Sequence, residues 1–292
     1  MISVVIPVHN RELLIGRALE SVCAQTLPVD EIIVVNDAST DNTSKVIESF
    51  RKKLVGLKLI TLKEHGGAAR ARNAGIQAAN GDLIAFLDSD DVWFPNKLIK
   101  QVKEFETHHN VVAVFCGMAI RERTGVCRHY IPRSNFSHID LYHYNLLVTM
   151  SSAVIRKQSL IEVGGFDTTL KSCQDWDLFI RLSEHGLMRV VQEELVQFSK
   201  DSHDRISRDA PSVLGGHQVV FDRIHDRISN PLLKLKVHAS HQMRLADIFS
   251  SDCFEPSRAI KHACKAILLG PSPRRWKTFQ LVMKRIAKGP LE

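Results

Sequence analysis

The sequence predicts an α/β fold, a mostly parallel sheet flanked by helices, followed by a helical C-terminal region. Short apolar, β-branched segments alternate with amphipathic segments over the first half of the chain. This alternation is typical of buried strands joined by crossover helices. From about residue 211 only helical periodicity remains. We therefore expect an α/β domain over 1–210 and an α-helical region over 211–292.

Four apolar segments are the predicted parallel strands: 2–8, 31–37, 57–62 and 83–87. Apolar residues along one face predict the helices between and after them. These are a helix from Asn10 to about Gln25, one capped by Ser39 or Thr40, one over 68–79, and one with Pro95 in its first turn. In such sheets ligands lie at the carboxyl ends of strands, so the acids after the second and fourth strands should line one crevice.

The second half of the chain alternates less regularly. Its predicted elements are a strand over 111–116, an irregular or hairpin segment over 117–131, a strand and short helix within 151–163, a helix over 175–185, and short strands over 187–192 and 195–200. A polar stretch that ends at Pro211 marks the expected boundary of the helical region.

Charge is unevenly distributed along the chain, whose net charge is +7. Residues 1–210 hold 25 Lys+Arg and 26 Asp+Glu (−1), whereas residues 211–292 hold 14 and 6 (+8). A basic block serves nucleic acid, an anionic membrane or an acidic partner, or is a set of solvated helix faces. The nearly neutral first part lacks aromatics on a basic face, so we expect no nucleic-acid partner.

The six cysteines form no CxxC pair, which favours reduced thiols in a reducing compartment. No basic segment followed by an apolar stretch opens the chain, so we expect no signal peptide. No apolar run reaches the ~18 residues of a membrane span. The expectation is a cytoplasmic protein.

The sequence Asp88-Ser89-Asp90 gives the sharpest chemical indication. Two carboxylates at i and i+2, on a loop that leaves a buried strand, can approach one hard cation. Mg²⁺ or Mn²⁺ prefers oxygen ligands and keeps places for substrate phosphates. An isolated DxD is also the pattern of a turn with solvated or capping aspartates. The preceding LIAFL favours the metal site, because burial of that strand exposes the acids at its end.

Other polar residues are expected near the same strand ends. Asp37 is placed to hydrogen-bond a nucleotide base or ribose, and a carboxylate would select a uracil-like imide N–H; a cap or turn role is the alternative. Gly66 and Gly67 permit close approach of a ligand. Arg72 is expected to contact a diphosphate or brace the acidic loop, unless it lies on the helix surface.

Two further candidates lie later in the chain. Asp175 opens a predicted helix, where acids are usually caps or dipole partners. His203 is a polar candidate, although a lone histidine is more often structural than a ligand. The residue types alone leave both roles open.

Taken together, six segments within about the first 205 residues resemble glycosyltransferase family 2, the inverting enzymes with a GT-A fold. They occur in the family's order and are SVVIPVHN (3–10), EIIVVNDASTDNT (31–43), HGGAARARNAGI (65–76), GDLIAFLDSDDVW (81–93), VGGFD (163–167) and CQDWDLFIRL (173–182). The resemblance implies a Rossmann-like mixed sheet flanked by helices. It is specific for the family but not for a substrate.

The resemblance also implies roles for the matching residues. Asp175 matches the general base, Asp90 the direct metal ligand, and Asp88 a position nearer the ribose. His203 lies where some members place a residue near the diphosphate or metal. The implied nucleotide-sugar-binding set is Pro7, Val8, Asp37, Gly67, Arg72, Asp88 and Ser89. Mn²⁺ or Mg²⁺ is the implied cofactor.

The chain departs from the family pattern at Gln174, where glutamate is common. The following aspartate is retained, so the base survives and only acceptor contact is in doubt. No QxxRW segment occurs, which argues against a processive polysaccharide synthase.

The implied reaction transfers a sugar from a nucleotide-diphosphate sugar to a hydroxyl acceptor. UDP is favoured over dTDP or GDP, and the acceptor is a sugar or lipid-linked glycan of cell-surface polysaccharide or glycolipid synthesis. One alternative is a sugar nucleotidyltransferase, which HNRELL after the first strand disfavours because a Gly-rich basic loop is usual there. The other is a non-catalytic nucleotide-sugar-binding protein, which the intact DxD and Asp175 disfavour.

The last predicted helix suggests a second surface. Residues 273–288 contain six Lys/Arg together with Trp276, Phe279, Leu281, Val282 and Ile286. A basic helix with an apolar side can lie in a membrane interface. A peripheral location on the inner face of the cell membrane would suit a lipid-linked acceptor. A helix packed on the catalytic domain is the alternative.

Overall fold

The computed structural model describes residues 1–121, 127–199, 209–251 and 253–288. The chain divides into two compact units. Their segments are Met1–Ser137, Leu147–Thr169 and Gln174–His203 for the first unit, and His138–Leu146, Leu170–Cys173 and Asp204–Glu292 for the second. The second unit therefore includes two short segments from the middle of the chain that no sequence signal marked. The predicted domains, 1–210 and 211–292, stay a prediction.

The first unit is built on a mixed sheet. Its described strands are β1 (Ile2–Val8), β2 (Glu31–Asn36), β3 (Leu57–Thr61), β4 (Leu83–Phe86), β5 (Val92–Trp93), β6 (Val111–Arg121), β7 (Cys127–Tyr130), β8 (Val154–Arg156) and β9 (Leu187–Ser199). They lie in the order β3-β2-β1-β4-β8-β6-β9-β5, with β7 paired to β6. Strands β1 to β4 are parallel, whereas β8 runs antiparallel between β4 and β6.

Helices connect and cover these strands. Those of the first unit are α1 (Ile15–Cys23), α2 (Thr43–Ser49), α3 (Gly67–Ala78), α4 (Lys97–Thr107), α6 (Lys157–Glu162) and α7 (Gln174–His185). Those of the second are α5 (His138–His143), α8 (Ala210–Arg227), α9 (Pro231–Ser251), α10 (Pro256–Leu269) and α11 (Pro273–Lys288). The predicted α/β fold and the helical character of the C-terminal region are confirmed.

The predicted helix caps are wrong. Helix α1 begins at Ile15 rather than after Asn10, whose φ is +48°. The Asn10 side chain instead accepts a hydrogen bond from the Thr40 backbone N–H, and Ser39 Oγ accepts one from the Asn10 N–H. Helix α2 begins only at Thr43. The polar side chains thus bond between two loops, an interaction that competes with capping.

The two strands predicted over 187–192 and 195–200 form one continuous strand, β9. The predicted break corresponds to a register shift against β6, where Cys116 pairs with Val191 and Gly117 with Glu194. A Cβ atom on Gly117 would lie only 2.9 Å from the Glu193 carbonyl oxygen. The bulge therefore needs a glycine on the facing strand.

Close packing joins α3 to the sheet. A Cβ atom on Gly75 of this helix would lie 2.4 Å from Cγ1 of Val5 in β1. The glycine lets the helix approach the strand ends closely, and this approach positions the polar residues at the start of α3.

The second unit has its own hydrophobic core. Its buried residues are Met243, Leu245, Ala246, Phe249, Ala259, Ala263, Ala266 and Val282. Alanines at i, i+4 and i+7 of α10 let the neighbouring helices come close. Within the described ranges, no helix is both long and apolar enough to cross a membrane.

Candidate functional site

Asp37 follows β2 directly and is buried. Its carboxylate oxygens accept hydrogen bonds from the backbone N–H groups of Gly66 and Gly67, at 2.8 and 2.7 Å. These are N–H groups at the start of α3, where a helix leaves donors unpaired and favours negative charge. Gly67 has φ +83°, and no atom lies within 4 Å of a Cβ built on it. Asp37 thus holds a glycine loop with open space beside it.

Two histidines lie beside Asp37. Nδ1 of His65 is 2.9 Å from Oδ2 of Asp37, and Nδ1 of His9 is 2.7 Å from the Asp37 carbonyl oxygen. The two rings are 4.0 Å apart, centroid to centroid. Sequence reasoning missed both, although they lie in the SVVIPVHN and HGGAARARNAGI segments. Pro7 and Val8, which precede His9, are buried at the end of β1.

Asp88 begins the acidic loop after β4 and is tied to α3. Its Oδ1 accepts a hydrogen bond from Nη2 of Arg72 at 2.6 Å. The guanidinium carbon lies 5.4 Å from the centroid of the Phe166 ring. Arg72 is buried and braces the acidic loop, one of the two contacts expected of it. A buried, charge-assisted hydrogen bond of this kind holds a carboxylate in a defined orientation.

Asp91 is a fully buried acid in the same loop. Its Oδ2 accepts a hydrogen bond from Ser151 Oγ at 2.6 Å, and its Oδ1 accepts one from the Ser199 N–H at 3.0 Å. Burial, together with the charges of Asp90 and Asp88, raises the pKa of the Asp91 carboxyl. Asp91 therefore anchors the acidic loop to the end of β9.

The segment around Ser151 also fixes the loop, and sequence reasoning missed it because no motif marks it. It forms a short 3-10 helix, Met150–Ser152. Ser151 Oγ accepts from the Asp88 N–H at 3.0 Å, and its carbonyl accepts from Trp93 Nε1 at 2.9 Å. A single residue thus contacts three positions of the loop and of β5.

Ser89 is buried, whereas Asp90 is half-buried. Within the described ranges, no group of three or more His, Cys, Asp or Glu side chains is arranged to hold a metal ion. His203 lies outside the described residues. The donor set of the loop, carboxylate oxygens from Asp88 and Asp90, fits Mg²⁺ or Mn²⁺, which are commonly held by one or two carboxylates plus substrate phosphates.

Asp175 and Asp177 occupy the first turn of α7 in different ways. Asp177 is buried and accepts two hydrogen bonds from Arg181, at 2.9 and 2.7 Å. Arg181 also donates to the Val163 carbonyl oxygen. Asp175 is half-buried, and its Oδ1 accepts from the Trp176 N–H at 2.8 Å. Asp177 thus holds α7 in place, while Asp175 keeps contact with solvent.

Asn73 connects α3 with the VGGFD segment, 163–167. Its side chain donates to the Phe166 carbonyl oxygen at 2.8 Å and accepts from the Phe166 N–H at 2.9 Å. Gly165 has φ +66°, and a Cβ atom there would lie 2.8 Å from Asn73 Oδ1. Contacts therefore run from the acidic loop through α3 to the segment that Arg181 binds. The convergence of Asp175 on the crevice of Asp37, Asp88 and Asp90 stays a prediction.

Comparison with known proteins gives a family and a fold. The model of "Glycosyl transferase family 2" matches residues 3–164. An uncharacterized glycosyltransferase of Rickettsia typhi is 31% identical over 255 residues, 85% of this chain and 78% of the relative. A putative teichuronic acid biosynthesis glycosyltransferase of Bacillus subtilis, TuaG, is 35% identical over 138 residues, 47% of this chain and 52% of the relative.

Solved structures share the fold. S. aureus TarS in complex with UDP-GlcNAc aligns with a TM-score of 0.70 at 19% identity, covering 98% of this chain and 88% of that one. The mannosyltransferase PcManGT from Pyrobaculum calidifontis, in complex with GDP-Man and Mn²⁺, aligns with a TM-score of 0.64 at 21% identity, covering 98% and 86%. The arrangement of sheet and helices is therefore that of GT-A glycosyltransferases.

Proposed function

The chain belongs to glycosyl transferase family 2, and on that premise we propose that it transfers a sugar from a UDP-sugar to an acceptor hydroxyl with inversion at the anomeric carbon. The observation that carries this proposal is the acidic loop after β4. Its Asp88 is oriented by Arg72, and the loop is anchored by Ser151 and the buried Asp91. Acids fixed before a ligand arrives need no reorganisation during reaction.

The donor nucleotide is proposed to lie at the carboxyl ends of β1 and β2. Asp37, Gly67 and the histidines His9 and His65 are within hydrogen-bond or ring contact of one another there. Flat imidazole rings and an open glycine backbone suit a nucleobase, which stacks on ring faces. The solved relative TarS carries UDP-GlcNAc, which supports UDP as the nucleotide.

Asp90 and Asp88 are the residues that would hold Mn²⁺ or Mg²⁺. When bound, such a cation neutralises negative charge that grows on the leaving diphosphate. Arg72 keeps the Asp88 carboxylate turned toward α3 through its 2.6 Å hydrogen bond. The complex of PcManGT with Mn²⁺ supports the choice of a divalent cation.

Asp175 is proposed to accept the proton that the acceptor hydroxyl loses as its oxygen attacks the anomeric carbon. General-base catalysis of this kind contributes about 10²–10⁴-fold in rate. Of the two aspartates that open α7, Asp177 is committed to Arg181. Asp175 is half-buried and retains solvent contact, as an incoming acceptor requires.

The proposed acceptor is a sugar or lipid-linked glycan in the synthesis of a cell-envelope polysaccharide or glycolipid. The relative TuaG, named for teichuronic acid biosynthesis, supports this class. The proposed place of reaction is the cytoplasmic side of a membrane.

A thermal-shift screen of nucleotide sugars tests the proposal, because a ligand that binds only the folded state raises the melting temperature. We expect UDP-sugars with Mn²⁺ to raise it, and the shift to weaken strongly with a chelator or in Asp90→Asn. Asp82→Asn, at an exposed carboxylate, is the matched control and should behave as wild type. Equal shifts with and without metal would remove Asp90 from its role. No shift with any nucleotide sugar would overturn the proposal.

A further inference from the structure

The positive charge of the second unit is concentrated in α10, α11 and the turn between them. Residues 256–288 contain nine basic side chains and no Asp or Glu. The nine are Arg258, Lys261, Lys265, Arg274, Arg275, Lys277, Lys284, Arg285 and Lys288. A segment of this composition carries a strong local positive potential.

The structure separates these basic residues into two groups. The four arginines have partners within the unit: Arg258 pairs with Glu255, Arg285 with Asp247, Arg275 donates to the Gly270 carbonyl oxygen, and Arg274 lies over the Tyr144 ring. The five lysines, Lys261, Lys265, Lys277, Lys284 and Lys288, are exposed and form no ion pair with any described residue. Their charge is therefore directed to solvent.

Large apolar side chains are exposed in the same two helices. Leu268 at the end of α10 is 84% exposed, and Trp276, Leu281 and Met283 of α11 are 48%, 45% and 37% exposed. They are not the apolar side chains that hold the helix. Val282 is buried in the core of the unit, and Phe279 and Ile286 pack against it. The apolar set expected from the sequence for membrane contact is thus divided between core and surface.

On α10 the exposed side chains follow helical spacing. Lys261, Lys265 and Leu268 stand at i, i+4 and i+7, opposite the buried alanines of that helix. On α11 Lys277, Leu281, Lys284 and Lys288 follow the same spacing. Each helix therefore presents a basic face that contains exposed leucine, and on α11 Trp276 and Met283 stand beside it.

We infer that these faces of α10 and α11 bind the surface of a bilayer that contains anionic phospholipids. Lysines next to anionic headgroups and tryptophan or leucine in the interface are the features of a helix that lies on a membrane. A soluble polyanion would use the lysines but leave the apolar side chains in water. A protein partner of ordinary composition would bury the apolar side chains but not five uncompensated lysines. The inference rests on the proposed function only in that a lipid-linked acceptor makes such contact useful.

Co-sedimentation with vesicles tests the inference on the full chain. The probes are vesicles of phosphatidylglycerol and phosphatidylcholine in equal parts, vesicles of phosphatidylcholine alone, and heparin as a polyanion without hydrocarbon. The charge variant is Lys277→Gln with Lys284→Gln. Its matched control is Lys52→Gln with Lys103→Gln, two equally exposed lysines of the first unit. The apolar variant is Trp276→Ser with Leu281→Ser.

We expect binding to the anionic vesicles only, weakened about 30-fold in the charge variant, since each basic residue near an anionic surface adds about a fivefold factor. The control should bind as wild type. The apolar variant should lose vesicle binding about tenfold or more while heparin binding stays unchanged. No binding of wild type to anionic vesicles, or equal binding by charge variant and control, would overturn the inference. So would an apolar variant with undiminished vesicle binding, since that result assigns the surface to a soluble polyanion.

The nucleotide-sugar thermal shift is measured on the same variants. We expect it to be unchanged in all of them, because none of the substituted residues belongs to the proposed donor site. A normal shift without vesicle binding overturns the membrane inference alone, whereas vesicle binding without any nucleotide-sugar shift overturns the donor proposal alone.

Discussion

Buried polar groups differ between the two units of the chain. In the first unit they are acids with bonded partners: Asp37 accepts two backbone N–H groups, and Asp91 accepts from Ser151 and Ser199. In the second unit the buried polar groups include histidines that face other histidines and aromatic rings. The first arrangement orients a loop for ligands, whereas the second is compatible only with uncharged rings. The two interiors should therefore respond differently to mutation and to pH.

The histidine cluster of the second unit shows why. Nδ1 of His217 in α8 lies 3.1 Å from Nδ1 of His241 in α9, so one ring donates and the other accepts. Phe221 stacks on His241 with ring centroids 3.8 Å apart. Burial lowers the pKa of His217 well below its usual range and that of His241 to about 3. His238, His262, Arg244 and Lys265 add positive charge that lowers these pKa values further.

The largest expected effect tests the catalytic role assigned to the first unit. Asp175→Asn should reduce transfer about 10²–10⁴-fold, because the amide cannot accept the acceptor's proton. Donor binding should be retained, since the substitution preserves shape and removes only the base. Initial rates of transfer and a UDP-sugar titration measure the two quantities. Asp82→Asn is the exposed control, and near-normal turnover of Asp175→Asn would refute the assignment.

Acid should destabilise the helical unit. In the unfolded chain His217 and His241 bind protons near pH 6.5, whereas in the folded unit they stay neutral to much lower pH. Protons therefore favour unfolding, and a stability contribution that is complete above pH 6.5 is lost progressively as the pH falls. At pH 5 the loss is about 2 kcal/mol for each histidine.

Urea unfolding followed by far-ultraviolet circular dichroism at pH 7.5 and pH 5 measures this loss. His241→Phe keeps a ring against Phe221 but removes one titrating group, so the loss between the two pH values should fall by about half. An unchanged pH dependence in that variant would show that other groups are responsible.

A smaller effect is expected from Ser151→Ala in the first unit. The substitution removes the hydroxyl that donates to Asp91 and accepts from the Asp88 N–H. Leaving such buried groups with one partner fewer costs about 1–3 kcal/mol in the free energy of unfolding. UDP-sugar affinity should fall as well, because the acidic loop loses an anchor. Chemical denaturation and a ligand titration measure both quantities.

Ser183→Ala is the control for that substitution. Ser183 bonds only to the Ile180 carbonyl oxygen of its own helix, and its removal should cost less than about 1 kcal/mol. Equal losses in the two serine variants would mean that the hydroxyl of Ser151 does not anchor the loop.

The smallest effect is expected at the basic surface of the second unit. Lys277→Gln with Lys284→Gln should change the free energy of unfolding by no more than about 0.5 kcal/mol, because exposed residues without partners contribute little to stability. Both lysines are exposed in α11. Thermal denaturation without lipid measures the change. A loss above about 1 kcal/mol would show that these lysines stabilise the helical unit rather than serving a surface.

The sequence by itself determined the strands β1 to β4 and the acids that follow β2 and β4, because buried strands have an apolar periodicity that is local in the chain. It also determined the family, through short segments in a fixed order. The starts of α1 and α2 were wrong, since Asn10 and Ser39 bond to each other's loops rather than to the helices.

Only the tertiary structure decided which partners the buried polar groups have. Arg72 reaches Asp88 across 16 residues, Ser151 reaches Asp91 across 60, and His217 reaches His241 across 24. Only the folded helices, likewise, separated the apolar residues of α11 that stay at the surface from those that enter the core. The physical reason is that hydrophobic periodicity is a property of neighbours in sequence, whereas the partner of a buried donor or acceptor is set by packing between distant segments.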